Sequence, residues 1–216
     1  MRSRFDEQLR LLNDEMSKMG ILIEVAIQNA IEALFSQNVE KARQIMQEDD
    51  LVDQAQKRIE SLCFQLMIQQ QPVARDLRNI TAAMKMVTDM ERIGDHASDI
   101  AELTIMMAGR PYPISEENIR KMAAEAVIML LHSIEAYVER NMEKAKSVIE
   151  HDEVVDRLFV KVKTELIQVI REHPDAAEEA ADLLMVNKYL ERIGDHAANI
   201  AEWVIFSLDN RPESKE

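Results

Sequence analysis

Aromatic residues are scarce in this chain of 216 residues: five Phe, three Tyr and one Trp, or 4% of the total. Any core must therefore be aliphatic, built from Leu, Ile, Val, Ala and the 14 Met. Glycine and proline are also sparse, four and five residues, too few for a turn-rich β protein. The single cysteine, Cys63, excludes an intramolecular disulfide and requires no oxidising compartment. Placed between Leu62 and Phe64, it reads as a buried structural thiol. Basic residues are outnumbered, 26 Lys and Arg against 40 Asp and Glu, giving a net charge of −14. A surface of that sign repels nucleic-acid phosphates and favours cations or basic partner surfaces. No uninterrupted apolar run approaches the ~20 residues of a membrane span. The segment Met1–Glu7 leads into no apolar stretch of the secretory type, so the expected compartment is the cytoplasm.

Catalytic signatures are missing as well. The sequence has no glycine-rich phosphate loop and no Gly-x-Ser-x-Gly. Di-metal oxidases also build carboxylate sites inside helix bundles, but they use Glu-x-x-His pairs. Three residues before His96, His132, His151, His173 and His196 stand Ile93, Met129, Val148, Ile170 and Ile193. The alternative of a carboxylate-bridged di-metal oxidoreductase is thereby disfavoured, and the chain is expected not to be an enzyme.

What the sequence does contain is helical periodicity. Phe5, Leu9, Leu12, Met16, Met19, Ile23, Ala26 or Ile27, Ala30 and Leu34 follow one another in steps of three and four, which defines a stripe along one helix face. Asn38 is the expected N-cap of a second helix reaching about Gln70, and Pro72 opens a third that runs to Gly109. The segment 110–114 is the linker. Ser115 is the expected cap of the next helix, and helices at about 115–140, 142–172 and 174–209 complete the chain, with Asn141 and Pro174 in the roles of Asn38 and Pro72. The expected fold is all-α: two tandem up-down-up three-helix bundles, residues 1–109 and 115–210.

The two halves are related by an internal repeat. Glu91-Arg92-Ile93-Gly94-Asp95-His96-Ala97 recurs letter for letter at Glu191–Ala197, and Asp49-Asp50-Leu51-Val52-Asp53 is echoed by Asp152-Glu153-Val154-Val155-Asp156. Spacing by four puts each acid pair, Asp49 with Asp53 and Glu91 with Asp95, on one helix face. Heights also match. Counted from a turn at 71, Asp53 and Asp49 lie 18 and 22 residues before it, while Glu91 and Asp95 lie 20 and 24 after it. At 1.5 Å per residue these differ by roughly 3 Å in an antiparallel hairpin. Around position 173, Asp156 and Asp152 lie 17 and 21 residues before the turn and Glu191 and Asp195 lie 18 and 22 after it. Each hairpin should thus gather four carboxylates. Asp99, one turn beyond Asp95, is a further candidate for the first cluster; its counterpart is Asn199.

Oxygen-only ligands suit hard cations such as Mg²⁺, Mn²⁺, Ca²⁺ or iron, with Zn²⁺ as a further candidate. Ordinary solvated acids, or neutralisation by Arg92 and Arg192, are the competing readings. His96 and His196 lie about 100° round the helix from the acids, where a hydrogen bond to the neighbouring helix is expected rather than metal ligation. Gly94 and Gly194 sit in mid-helix at a cost near ~1 kcal/mol relative to Ala, which close helix approach would explain.

The doubled Glu-Arg-Ile-Gly-Asp-His-Ala string, the paired Asp-x-x-x-Asp segments and Gln71-Pro72-Val73-Ala74-Arg75-Asp76-Leu77-Arg78 together resemble the PhoU family, accessory proteins of the phosphate-specific transport system. The resemblance implies multinuclear metal clusters on Asp49, Asp53, Glu91, Asp95, Asp152, Asp156, Glu191 and Asp195. It implies a negative regulator of phosphate uptake and of phosphate-starvation transcription, with the importer's ATPase subunit and the phosphate-sensing histidine kinase as partners. A homodimer is the expected assembly. Arg75 and Arg78, at the tip of the first bundle, are candidate partner-binding residues. In the second half the tip departs from this pattern, reading His173-Pro174-Asp175-Ala176-Ala177-Glu178.

Overall fold

The apolar stripes become six long helices in a computed structural model that describes residues 2–69 and 73–209. They are α1 (Arg2–Ser36), α2 (Val39–Gln69), α3 (Ala74–Met107), α4 (Glu117–Glu139), α5 (Met142–Glu172) and α6 (Ala177–Leu208), with a short 3₁₀ turn, Pro174–Ala176, before α6. Among the described residues there is no strand. In α1 the expected stripe is the buried one: Leu12, Met16, Met19, Ile23, Ile27, Ala30 and Leu34 are all fully enclosed. By length and composition α1 is also long and apolar enough to cross a membrane, with a mean hydropathy of 1.4 over its most apolar window, although charges interrupt it. Here that apolar content goes into the core.

Asn38 and Asn141 cap as expected, their side-chain oxygens accepting the amides of Lys41 and Lys144 at 3.0 Å. The residue before each, Gln37 and Arg140, takes a left-handed φ of 52° and 56° to reverse the chain. Three boundaries differ from expectation. Pro72 lies outside the described residues, and α3 begins at Ala74 behind Val73. Ser115 does not stand at the cap position, which Glu116 takes in helical conformation; its hydroxyl accepts the Glu117 amide at 3.3 Å. Pro174 opens the 3₁₀ turn rather than α6 itself. Pro212 and the last expected residue of the second bundle, 210, also lie outside the described residues.

The helices pack as a square with two additions. α1, α3, α6 and α4 contact one another in a ring, α2 lies on α1 and α3, and α5 lies on α4 and α6. α3 runs antiparallel to α6, since Arg78 near the start of α3 reaches Asp209 at the end of α6, while Arg110 beyond α3 pairs with Glu178 at 2.9 Å. One hydrophobic core runs through both bundles. α1 and α4 cross at Gly20, where an added Cβ would lie 2.5 Å from Ile134 Cδ1. The linker is tied back rather than loose: Tyr112 donates to the Leu34 carbonyl at 2.8 Å, and the Gly109 amide donates to Gln37 at 3.0 Å. Gly109 has φ of +82°, a conformation that side-chain-bearing residues rarely adopt. Cys63 is fully buried, which pushes its thiol up to about 12.

Candidate metal centre

The square places α2 and α5 on opposite flanks, so each carboxylate group sits in its own outer hairpin, between α2 and α3 or between α5 and α6. The structure brings the expected acids into electrostatic contact in both. Asp49 is pushed up to about 6, chiefly by burial and then by Asp95, Asp53, Glu91 and Asp50. Glu91 is raised by burial and then by Asp95, with Arg92 opposing. In the second hairpin, burial raises Asp152 to about 6, reinforced by Asp156, Asp195 and Glu191 and opposed by His151. Asp195 is raised by burial and by Glu191, with Lys188 opposing. An acid becomes harder to ionise when it loses water and faces like charges, and both causes operate here.

Gly94 and Gly194 open the space for this arrangement. A Cβ at Gly94 would lie 3.0 Å from Val52 Cγ1, and one at Gly194 would lie 3.1 Å from Val155 Cγ1 and 3.2 Å from Asp152 Oδ1. Close helix approach, expected at these positions, is therefore what the fold uses them for. The acids are partly answered by cations. Arg92 lies 3.2 Å from Asp95 and 3.6 Å from Glu91. In the second hairpin the expected counterpart, Arg192, turns its charge toward His96 and Tyr189, and Lys188 pairs with Glu191 instead. Among the described residues no three His, Cys, Asp or Glu side chains converge on a single point. The donor set itself fits a hard cation: four carboxylates per hairpin, mutually repelling and bordered by a glycine, half-buried in the first hairpin, while in the second Asp152 and Glu191 are half-buried and Asp156 and Asp195 exposed.

Asp99 is placed differently from expectation. Its carboxylate meets His96 Nδ1 at 3.1 Å and its charge is felt by Tyr189, so it belongs to the seam between the bundles rather than to the Asp49 group. At that seam the two copies of the motif meet. The rings of His96 and His196 have centroids 5.8 Å apart, His96 stacks on Tyr189 at 5.4 Å, and His196 Nδ1 lies 2.8 Å from Asp89. His196 thus makes the expected bond to a neighbouring helix, whereas His96 bonds one turn along its own. Asp89 and Tyr189 were missed in the sequence. The available signal was their position, each seven residues before a motif histidine and therefore on its face of the helix.

Arg78 is also engaged within the chain: its guanidinium donates to the Asp209 carbonyl and lies 5.3 Å from the Phe206 ring centroid. A cation at the last carbonyls of α6 is well placed against the helix dipole. Arg75 is exposed.

A tandem duplication of a three-helix bundle, with an acid quartet in each outer hairpin and motif copies meeting at the centre, defines the class of this protein. Two stretches, residues 16–104 and 119–204, match the model of the PhoU domain. The chain belongs to the PhoU family. It is 38% identical over 211 residues to the phosphate-specific transport system accessory protein PhoU homolog of Clostridium acetobutylicum, covering 97% of this chain and 96% of that one. PhoU homolog 1 of Thermotoga maritima is 30% identical, over 94% and 88% of the two chains. Crystal structures of PhoU from Pseudomonas aeruginosa and of the phosphate transport system regulatory protein PhoU from Streptococcus pneumoniae superpose with TM-scores of 0.89 and 0.87. Their identities are 32% and 28%, and each alignment covers 94% of this chain, with 98% and 96% of the respective structures.

Proposed function

We propose that this chain is a metal-loaded, non-catalytic regulator of phosphate uptake and of phosphate-starvation transcription. It acts in the cytoplasm, as a homodimer, through the importer's ATPase subunit and the phosphate-sensing histidine kinase. An accessory role in phosphate transport follows from the names its relatives carry. The observation that carries the metal reading is the pair of level carboxylate quartets, each with one aspartate raised to about 6 by burial and its neighbours. Asp49, Asp53, Glu91 and Asp95 would hold one hard cation or cluster, and Asp152, Asp156, Glu191 and Asp195 the other, iron, Mn²⁺, Mg²⁺, Ca²⁺ and Zn²⁺ being the candidates. A cation there supplies charge that offsets the repulsion among the acids and links the two helices of the hairpin.

Metal analysis of protein purified without chelator tests this reading. Changing Asp49, Asp53 and Asp95 to Asn and Glu91 to Gln should remove the metal of the first hairpin and leave the second loaded; unchanged stoichiometry overturns the assignment. For partner docking, the exposed first tip offers Arg75 beside Val73, Leu77 and Ile68, apolar side chains that are 65%, 45% and 78% exposed. Arg75→Ala should weaken binding to the purified ATPase subunit or kinase with metal content unaltered. Arg78 is unsuited to that test because its loss would also loosen α3 from α6.

A further inference from the structure

Each side of the helical square is a groove between two neighbouring helices. Two of the four are covered by an amphipathic helix of the chain itself, α2 over α1 and α3 and α5 over α4 and α6. A third, between α3 and α6, is bridged by its own side chains, Lys85 over Trp203 and Arg78 over Phe206. The fourth, between α1 and α4, is left open with a volume of about 620 Å³. Its floor is apolar, formed by Ile27, Ile31 and Val127, with Ala124 and the half-exposed Ile128 on the α4 lip. Its rim on the α1 side carries Glu24 and Glu32, of which Glu32 is paired with Lys41 from the start of α2. Glu24 accepts from the neutral side-chain amide of Gln28 at 3.0 Å. The one basic residue on the rim, Arg120, is already engaged by Glu116 at 2.7 Å and lies over Phe35.

We infer that the α1–α4 groove is a docking site for an amphipathic helix of a partner protein, one with basic residues flanking its apolar stripe. The occupant's form follows from the molecule: two other sides of the square are filled by amphipathic helices, and an apolar floor between two helices is complementary to an i, i+3, i+4, i+7 stripe. Its charge follows from the acidic rim and from the chain's net −14. A second copy of this chain is disfavoured as occupant of this groove, because it would set acidic residues against the acidic rim; the homodimer proposed above would use another face. The groove lies away from both carboxylate quartets, which occupy the outer hairpins, so the inference stands independently of the metal reading.

The test uses the full-length protein and a fluorescently labelled synthetic helix of about 18 residues, five turns, with Leu at the stripe positions and Lys elsewhere. A matching peptide has Glu in place of Lys. Anisotropy should show binding of the Lys peptide at least ten times tighter than that of the Glu peptide. Ala124→Trp, and separately Ile128→Trp, fill the groove without altering charge, and both positions are exposed, so folding is checked simply by circular dichroism. Each should weaken the Lys peptide at least tenfold. Undiminished binding by both variants would mean that the peptide is held by general acidity and would overturn the proposal, as would equal affinity for the two peptides. The reversal Glu24→Lys with Glu32→Lys should shift preference toward the Glu peptide; no shift counts against the charge assignment.

Discussion

The two halves set the same seven-residue motif against different surroundings. In the first, Asp49 and Gly94 border a small cavity of about 50 Å³ whose wall includes Leu22, Ala26 and Glu48. Those three correspond, 103 positions on, to Glu125, Met129 and His151. His151 Nε2 lies 2.8 Å from Glu125, joining α5 to α4, and Met129 is 1% exposed. One quartet is therefore backed by a gap and the other by a hydrogen-bonded pair and a filled core. Their cations differ in the same way, Arg92 in the first and Lys188 in the second. The seam repeats the lesson: Asp89 and Tyr189 are equivalent positions, and so are Asp99 and Asn199, yet each histidine still has one carboxylate. Duplication preserved the carboxylates and the helix approach, while the second layer of contacts diverged.

The sharpest way to probe this comparison is at the glycines. Gly94→Ala and Gly194→Ala should each lower stability, by up to about 2 kcal/mol, in chemical denaturation. An overpacked core contact costs ~1–3 kcal/mol, against roughly 1 kcal/mol of gained helix propensity. Val52 and Val155 are buried and β-branched, so neither can turn aside. The halves should differ in metal affinity, because only at Gly194 does the new methyl also meet a carboxylate, Asp152 Oδ1 at 3.2 Å. Mn²⁺ titrations in which both variants lose affinity equally would show that the halves respond alike.

A smaller effect is expected from pH. Asp49 and Asp152 are raised from 3.8 to about 6 in the folded protein. The folded state then holds a proton that the unfolded state releases. This stability is fully present below about pH 4 and is lost as pH rises toward 6. In chelator, Asp49→Asn should therefore gain stability at pH 7.5 and nothing at pH 4. The gain is about 1 kcal/mol once the shift is discounted for the group's solvent exposure. Asp152→Asn should gain a similar amount, since it too is raised to about 6. Thermal melts that show no pH dependence of the gain would remove carboxylate repulsion as the cause.

Much of this was legible before the structure. The stripe of α1, the two asparagine caps and the levelling of the acids all follow from local periodicity and counting along helices, which the fold does not alter. Asp99 meets His96 one turn back on its own helix, a spacing of three that was open to reading along α3. The engagement of Arg78 by Asp209 was not legible, because the antiparallel docking of α3 on α6 decides it and no spacing within one helix encodes that register. The cap at Ser115 failed locally, because its hydroxyl serves the amide two residues on without the chain leaving helical conformation at Glu116. Lys188 was overlooked because its equivalent, Thr88, lacks a charge, so the repeat gave no cue.

The cavity beside Asp49 offers a prediction near 1 kcal/mol. Ala26→Met gives the first half the residue that the second has at Met129. At ~24 cal/mol per Å³, filling about 50 Å³ should stabilise the protein by roughly 1 kcal/mol. A destabilised variant would mean that Leu22 and Val25 cannot make room and that the gap is part of the first site's design.

The smallest effect concerns the His151–Glu125 pair, whose side chains are 35% and 21% exposed. Partly solvated pairs contribute on the order of 0.5 kcal/mol, so single substitutions, which also change packing, cannot isolate it. A double-mutant cycle with Glu125→Gln and His151→Gln removes those common terms and should return a coupling of about 0.5 kcal/mol. The same cycle can be built in reverse in the first half with Leu22→Glu and Glu48→His. Leu22→Glu alone should be costly, because Leu22 packs against the core, but the coupling between the two new residues should match that of the natural pair if α1 and α2 approach as α4 and α5 do. A coupling near zero in the first half, with the natural value in the second, would show that the hairpins differ in backbone spacing and not only in side chains.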